Sequence, residues 1–274
     1  MKNSFLLICV FSIFSIISFS CNRDIFDDTN ISTEPPKPRT ADHVRNDFKN
    51  LEITPGTNDF TIETTTKGVF WNFRIIAPEN ASITNKKPLI FNLHGGARNI
   101  APEAHKSTAC LIEPATNNTL DAFIISPNSN GSLWFDQPNQ IQILALYDLA
   151  TSNLPIDTSK VAITGYSDGG NGSWFYAQFH SNLFSAAIPM ATSYNTANSD
   201  GTIDKIKIPL YVVHGENDQL FPLANTQNFV NASINSGSNI TFVVANNLDH
   251  YSVCDYLPYL KDGIDWLIND VWQY

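Results

Sequence analysis

The segment VAITGYSDGGNGSW, residues 161–174, decides how this sequence is interpreted. A short apolar run leads into Gly165, and residues 165–169 match the pattern G-x-S-x-G with Ser167 at the centre. A serine that acts as a nucleophile must project from a sharp turn between a strand and a helix, and glycines on either side let the chain pass closely. The apolar run before Ser167 and the helical pattern after it supply this context, so we predict a nucleophile here. The alternative is a polar residue in a glycine-rich loop.

A nucleophilic serine needs a base, which on a strand–turn–helix scaffold comes last in the chain order Ser, Asp or Glu, His. Of the histidines downstream of Ser167, His250 follows the last predicted strand by a short loop, NNLDHYS, and is the predicted base. His180 falls in the helix after the serine, so we expect it to lie on the surface or to pack. His214 ends a buried strand and is expected to support the loop that follows.

The carboxylate that orients the base should follow the preceding strand, in VVHGENDQLFP, which offers Glu216 and Asp218. We predict Asp218, because it lies further into the loop and just before the next helix. Asp249 is adjacent to His250, but neighbours in the chain rarely face each other productively. Asp249 is therefore interpreted as a solvated loop carboxylate.

Acyl chemistry at a serine also needs two backbone N–H groups that bind the developing oxyanion. One is predicted at Asp168, directly after the serine. The other should come from the loop LHGGARN, residues 93–99, which follows an early buried strand. Gly96 is the predicted donor, with Gly95 next and Ala97 as a further alternative, and a simple tight turn is the competing interpretation of the loop.

Two residues are predicted to contact the substrate. Gly95 has no side chain, so its backbone can approach a bound ester closely. Trp134, in PNSNGSLWFDQ, follows another predicted strand and is expected at the same edge of the sheet. It is interpreted either as a wall that stacks on a sugar or an aromatic acyl group, or as a packing tryptophan.

Short apolar runs alternate with helical patterns over the rest of the chain, which predicts parallel β–α units in an α/β fold. The segment FTIETTTKGVFWNFRIIAP is typical of an antiparallel hairpin. No internal repeat or second boundary is evident, so residues 51–274 are predicted to form one domain. The runs interpreted as buried strands are KPLIFNLHGG, DAFIISPNS, SKVAITGYS, SAAIPMA, IPLYVVHG and NITFVVAN.

The N-terminus is predicted not to belong to that domain. Residues 1–20 combine Lys2 with an apolar, serine-studded stretch that is too short for a comfortable membrane span, as in a secretory signal. The small residues before Cys21 resemble a bacterial lipoprotein signal, which implies export and a lipid anchor to a bacterial membrane. Ordinary cleavage nearby is the alternative. Residues 21–50, rich in polar residues and proline, are predicted to be a flexible tether.

Composition narrows the function further. The formal net charge of −10 argues against nucleic-acid binding, which needs a basic surface. The sequence contains neither an H-E-x-x-H motif nor a pair of closely spaced cysteines, so no metal is predicted. Cys110 and Cys254 are predicted to form a disulfide in an oxidising compartment, the alternative being two separate buried thiols.

These motifs resemble the α/β-hydrolase family from about residue 55 onward. More narrowly, they are similar to its secreted esterase branch, which includes feruloyl and acetyl-xylan esterases, polyhydroxybutyrate depolymerases and the so-called predicted peptidases. Trp174 and the pair Trp266–Leu267 are part of the likeness. One departure is the acidic Asp168 after the nucleophile, where a small or apolar residue is more usual and where a negative charge would disfavour an oxyanion.

The resemblance implies a cofactor-free esterase, expected to be a monomer, that uses Ser167, His250 and Asp218. Its expected substrate is an ester that is small or linked to a polysaccharide. A polyester or a peptide is the alternative substrate. The alternative to an enzyme is a non-catalytic, surface-binding lipoprotein that has kept the hydrolase fold.

Overall fold

The computed structural model describes residues 38–98 and 103–273. Within these residues, eight strands form one sheet. The strands are β1 (Gly56–Glu63), β2 (Phe70–Ala77), β3 (Lys87–Leu93), β4 (Phe123–Pro127), β5 (Ile156–Tyr166), β6 (Ala186–Met190), β7 (Leu210–Gly215) and β8 (Ile240–Ala245).

The sheet is mostly parallel, in the order β1-β2-β4-β3-β5-β6-β7-β8. All neighbours from β4 to β8 run parallel, whereas β1 pairs antiparallel with β2 and β2 pairs antiparallel with β4. The predicted N-terminal hairpin and the predicted run of parallel strands are both confirmed. Because parallel strands end at the same edge, the loops after β3, β5, β7 and β8 lie along one side of the molecule.

Helices cover both faces of the sheet. The strand β3 shows why: Phe91 and Leu93 lie in one core cluster and Ile90 in the other, since successive side chains point to opposite faces. One cluster includes side chains from α1, α3, α4 and α5, and the other includes side chains from α2 and α6. These helices are α1 (Ala41–Lys49), α2 (Ile112–Thr116), α3 (Gln137–Asn153), α4 (Asp168–Phe179), α5 (Leu223–Asn235) and α6 (Leu257–Trp266).

The predicted tether at residues 21–50 is wrong at its C-terminal end. Residues Ala41–Lys49 form α1, and Val44 and Phe48 of this helix are buried in the core beside the strands. The spacing of four residues puts both side chains on one helical face, and the capping contact from the Thr40 N–H to His43 Nδ1 marks the helix start. The folded domain therefore includes these residues.

The predicted signal at residues 1–20 and the predicted lipidation site Cys21 lie outside the described residues. Among the helices of the part that is described, none combines the length and the apolar character needed to cross a membrane.

Candidate active site

Ser167 lies at the sharp turn between β5 and α4, with φ 57° and ψ −120°. A non-glycine residue rarely adopts this conformation, and such strain is typical of functional sites. The turn is tight enough to exclude side chains on either side. A Cβ at Gly165 would lie 2.4 Å from the carbonyl carbon of Gly169, and a Cβ at Gly169 would lie 2.0 Å from the carbonyl oxygen of Leu93. The two glycines of the motif therefore let the helix pass directly over the end of β3.

The structure brings Ser167, His250 and Asp218 together in one hydrogen-bonded chain. Ser167 Oγ is 2.8 Å from His250 Nε2, and His250 Nδ1 is 2.7 Å from Asp218 Oδ2. A carboxylate only accepts hydrogen bonds, so Nδ1 carries the proton and Nε2 is free to accept the serine proton. The arrangement gives Ser167 a base and gives that base a fixed orientation.

Asp218 is buried, and its second oxygen is occupied as well: Oδ1 accepts the N–H of Phe221 at 2.7 Å. His214, at the end of β7, donates from Nε2 to the carbonyl oxygen of Phe221 at 2.8 Å and lies 3.7 Å from Asp218 Oδ2. Burial lowers the pKa of His214, so this ring is neutral beside the carboxylate. The role predicted for His214, support of the loop, agrees with this geometry.

Two tyrosines hold the backbone around His250, and neither was singled out from the sequence. Tyr166 donates its hydroxyl proton to the carbonyl oxygen of His250 at 2.7 Å, and Tyr256 donates to that of Asp249 at 3.3 Å. Burial raises the pKa of both phenols, that of Tyr256 to about 12, so both remain protonated donors. Tyr166 directly precedes Ser167, but the sequence does not show that its side chain reaches a loop 84 residues away.

A disulfide joins Cys110 to Cys254, with 5.2 Å between the two Cα atoms. Cys254 lies in the short 3-10 helix Val253–Tyr256, directly after the loop that carries His250. Cys110 precedes α2. The crosslink therefore anchors the segment after the histidine to the segment before α2.

The loop after β3 contacts Ser167. A Cβ at Gly95 would lie 3.3 Å from the Cβ of Ser167, so the backbone of this loop passes next to the serine. Asp168 begins α4, and its N–H comes before the first intrahelical hydrogen bond, which Asn171 makes to Ser167. The N–H of Gly96 donates to no acceptor among the residues that the structure describes. The N–H of Ala97, by contrast, donates to Asp168 Oδ2 at 2.9 Å.

The prediction that Trp134 is a substrate wall is wrong. Its side chain is fully buried, and the indole N–H donates to the carbonyl oxygen of His94 at 2.9 Å. The rings of Trp134 and His94 pack edge to face, 5.0 Å apart. The sequence places this tryptophan at the right edge of the sheet, but the direction of its side chain depends on the packing of the loop after β4.

The remaining acidic and basic candidates lie apart from the hydrogen-bonded chain. Glu216 accepts the N–H of Asn247, and Asp249 accepts the N–H of Tyr251 at the surface. His180 caps the C-terminal end of α4.

Two aromatic side chains pack against the imidazole of His250. Phe221 and Tyr251 pack their rings edge to face against His250, at centroid distances of 5.0 and 5.7 Å. Tyr251 is 77% exposed and Leu220 is 51% exposed. Exposed large apolar side chains beside a reactive group are typical of a binding surface.

Comparison with known proteins supports a hydrolytic function. A family model described as PETase, PET hydrolase-like, matches residues 115–268, which is more than half of the chain and includes Ser167, Asp218 and His250. No curated protein matches the sequence.

Solved structures with low sequence identity share the fold. A thermostable esterase has a TM-score of 0.64 and 21% identity, over 77% of this chain and 62% of that chain. This chain thus spans less than two thirds of that esterase. FphF, a fluorophosphonate-binding serine hydrolase of Staphylococcus aureus, has a TM-score of 0.60 and 20% identity, over 79% and 100%. An esterase of Pyrobaculum calidifontis has a TM-score of 0.60 and 16% identity, over 82% and 88%. The predicted α/β-hydrolase fold is confirmed.

Proposed function

Because the chain belongs to the PET hydrolase-like family and is a serine carboxylic ester hydrolase, we propose that Ser167, His250 and Asp218 are its catalytic triad. The observation that carries this proposal is the continuous chain of two hydrogen bonds from Ser167 Oγ through the imidazole to a buried carboxylate. Each member comes from a different strand end, namely those of β5, β7 and β8, in the order that the scaffold requires.

The reaction begins with attack of Ser167 Oγ on the ester carbonyl while His250 Nε2 takes the serine proton. Asp218 stabilises the imidazolium and holds its orientation through Nδ1–H. The tetrahedral intermediate collapses, and His250 gives the proton to the departing alcohol. Water then attacks the acyl-enzyme with His250 as base, which releases the acid and restores the serine.

We assign the oxyanion hole to the N–H groups of Asp168 and Gly96. The first lies at the start of α4, where the helix dipole also favours negative charge. The second belongs to the loop that touches Ser167, and it has no acceptor within the described part of the chain. Gly95 contributes its close backbone approach to the serine and to the bound ester.

The triad is tested with the purified protein on p-nitrophenyl butyrate, beside Ser167→Ala and His250→Ala. We expect kcat to fall by about 10³-fold or more in each variant, with residual rate from substrate binding and the oxyanion hole. A fluorophosphonate probe should label the wild type and not Ser167→Ala. A folded Ser167→Ala that keeps wild-type activity would refute the assignment.

For the substrate, we propose an apolar or aromatic carboxylic ester, such as a polyester segment. The argument rests on Tyr251 and Phe221, whose rings pack against the base, and on the exposed Leu220 that precedes Phe221 in the chain. Aromatic side chains bind planar acyl groups by stacking and area burial. The match to the PET hydrolase-like family also supports a polyester substrate. Trp134 is buried and unable to stack on a sugar, so it lends no support to a polysaccharide-linked ester.

The substrate proposal is tested by comparing wild type with Tyr251→Ala on four esters: p-nitrophenyl acetate, methyl ferulate, acetylated xylan and amorphous polyethylene terephthalate film. We expect Tyr251→Ala to lose several-fold in hydrolysis of the film and little on the acetate. Val69→Ala is the matched control, since Val69 is also exposed but lies in the β1–β2 turn. Hydrolysis of acetylated xylan alone would reverse the assignment in favour of polysaccharide esters.

We also propose that the protein is exported and lipid-anchored through Cys21, as a monomer. The disulfide between Cys110 and Cys254 supports export, because such bonds persist in oxidising compartments. Labelling of cells with a palmitate analogue should tag the wild type and not Cys21→Ala. Equal labelling of both would contradict the anchor.

A further inference from the structure

The carboxylate of Asp168, the residue after the nucleophile, accepts a hydrogen bond from the loop after β3. Asp168 Oδ2 accepts the N–H of Ala97 at 2.9 Å, a bond that spans 71 residues of sequence and joins the start of α4 to the loop after β3. Ala97 is fully buried, whereas Asp168 is half-buried. A charged acceptor makes this a stronger bond than one between two neutral groups. The carboxylate therefore holds the loop against the helix that carries the nucleophile.

Further hydrogen bonds hold the peptide groups of the same loop on either side of Gly96. Ser129 donates its backbone N–H to His94 Nε2 at 3.0 Å, so the proton of that ring is on Nδ1, which donates to the carbonyl oxygen of Gly95 at 2.8 Å. Burial lowers the pKa of His94, which keeps the ring in this neutral form. The hydroxyl of Ser129 donates to the carbonyl oxygen of Ala97.

These contacts fix where the N–H of Gly96 points. The carbonyl of Gly95 is held by His94, and a trans peptide places the following N–H on the opposite side of the same plane. The next N–H, at Ala97, is already taken by Asp168. Within the described part of this loop, the N–H of Gly96 is thus left free to bind a ligand while the peptides on either side of it are held.

We propose that the Asp168 side chain is a positioning residue: by accepting the Ala97 N–H, it aligns the Gly96 N–H with Ser167 for stabilisation of the oxyanion. This inference rests on the proposed function, because it assigns a role within the same acyl-transfer site. It also accounts for an acidic residue at a position where its charge alone would oppose catalysis. Asp168 then contributes twice, with its backbone N–H as a donor and with its carboxylate as a clamp.

Two other roles of the carboxylate make different predictions. If Asp168 only stabilises α4 through its charge at the helix start, Asp168→Asn and Asp168→Ala should both lower Tm and leave kcat unchanged. If its negative charge itself were needed near the site, the two variants should lose activity equally. If it is a clamp, the amide oxygen of Asn preserves the acceptor, and only Asp168→Ala should lose rate.

The test measures kcat and KM on p-nitrophenyl butyrate and the inhibition constant of butylboronic acid. Ser167 Oγ adds to boron, and the tetrahedral adduct places an oxygen in the oxyanion hole. For Asp168→Ala we expect kcat to fall about 10- to 100-fold, KM to change less than about threefold, and the inhibition constant to rise by the same factor as kcat falls. Asp168→Asn should remain within about threefold of wild type in all three quantities.

Asp157→Ala is the matched control. Asp157 also accepts a backbone N–H, that of Ser159 at 3.0 Å, but it lies near the N-terminal end of β5, away from the site. Its removal should leave kcat unchanged. Ser129→Ala, which releases the carbonyl of Ala97, is a second probe of the same loop and should lower kcat several-fold.

The outcomes separate the two levels of inference. If Ser167→Ala is inactive but a folded Asp168→Ala matches wild type, the clamp is refuted and the triad stands. If Ser167→Ala is active, the proposed function itself fails. Equal losses in Asp168→Asn and Asp168→Ala overturn the clamp in favour of the charge. Should Asp168→Ala not fold, a folded Asp168→Asn decides the matter, because its amide oxygen preserves the acceptor: a 30-fold loss of kcat in this variant overturns the proposal.

Discussion

Replacement of Gly169 by alanine tests whether the close passage of α4 over β3 sets the geometry of the nucleophile. The new Cβ would lie 2.0 Å from the carbonyl oxygen of Leu93 and 2.6 Å from its carbonyl carbon, whereas ordinary contact begins at 3.4 Å. The difference between 3.4 and 2.0 Å requires a shift of 1.4 Å between two backbone segments. Neither segment ends in a flexible side chain that can move aside.

A shift of this size changes both stability and rate. Overpacking of a well-packed interior costs about 1–3 kcal/mol. Displacement by about 1 Å of a group that binds the transition state costs roughly 10²-fold in rate. Because Ser167 and the N–H of Asp168 move with the helix start, we expect Gly169→Ala to lose at least about 10²-fold in kcat.

Gly263→Ala is the matched control, since it introduces the same methyl group in another buried helix. A Cβ at Gly263 would meet side-chain atoms of Ile188 and Tyr211 at 3.2 Å, and alanine favours the helix by about 1 kcal/mol over glycine. We expect wild-type kcat and little change in Tm. The assay is p-nitrophenyl butyrate hydrolysis with circular dichroism melting. A folded Gly169→Ala with kcat within a few-fold of wild type would refute the reasoning.

Three further predictions follow from the contacts of the site. Asp218→Asn should lower kcat by about 10³- to 10⁴-fold with little loss of binding, because the amide no longer holds the imidazole in the required tautomer; steady-state kinetics measure this. Replacement of both Cys110 and Cys254 by serine should lower the free energy of unfolding by about 2–5 kcal/mol in urea titrations, because the bond closes a long loop. The folded-state pKa of His214 is depressed by burial, so below pH 6.5 the unfolded chain binds a proton that the folded protein does not. The free energy of unfolding should therefore fall as pH decreases through this region, by at most about 1.4 kcal/mol per pH unit for this group, and His214→Asn should flatten the slope.

Each of these predictions has a clear contrary result. Wild-type kcat in a folded Asp218→Asn would remove the carboxylate from the triad. Equal urea midpoints for the wild type and the double serine variant would show that the crosslink does not stabilise the fold. An unfolding free energy that is constant between pH 7.5 and 5.5 would contradict a neutral buried His214.

The sequence predicted the sheet and the chain order of the site because both depend on local patterns. Apolar runs of strand length indicate β3 to β8, and the G-x-S-x-G motif around Ser167 indicates the turn between a strand and a helix. Contacts between residues that are distant in the sequence could not be predicted from such patterns. The sequence pattern leaves Trp134 open between a substrate wall and a packing residue, because side-chain direction depends on packing. The bond from the Ala97 N–H to Asp168 joins residues 71 positions apart, which no local pattern shows. The helix α1 was missed because its polar composition masks two apolar residues, Val44 and Phe48.

The position of His250 after β8 has a consequence for the biosynthesis of the enzyme. Ser167 and the loop after β3 leave the ribosome early, but β8 must pair with β7 before the histidine reaches the serine. Domains generally fold as units as the chain emerges, so the nascent chain has an assembled nucleophile turn only together with its base. A chain that stops before β8 also lacks His250, so under the proposed mechanism its Ser167 has no base, and full ester-cleaving activity requires the last strand.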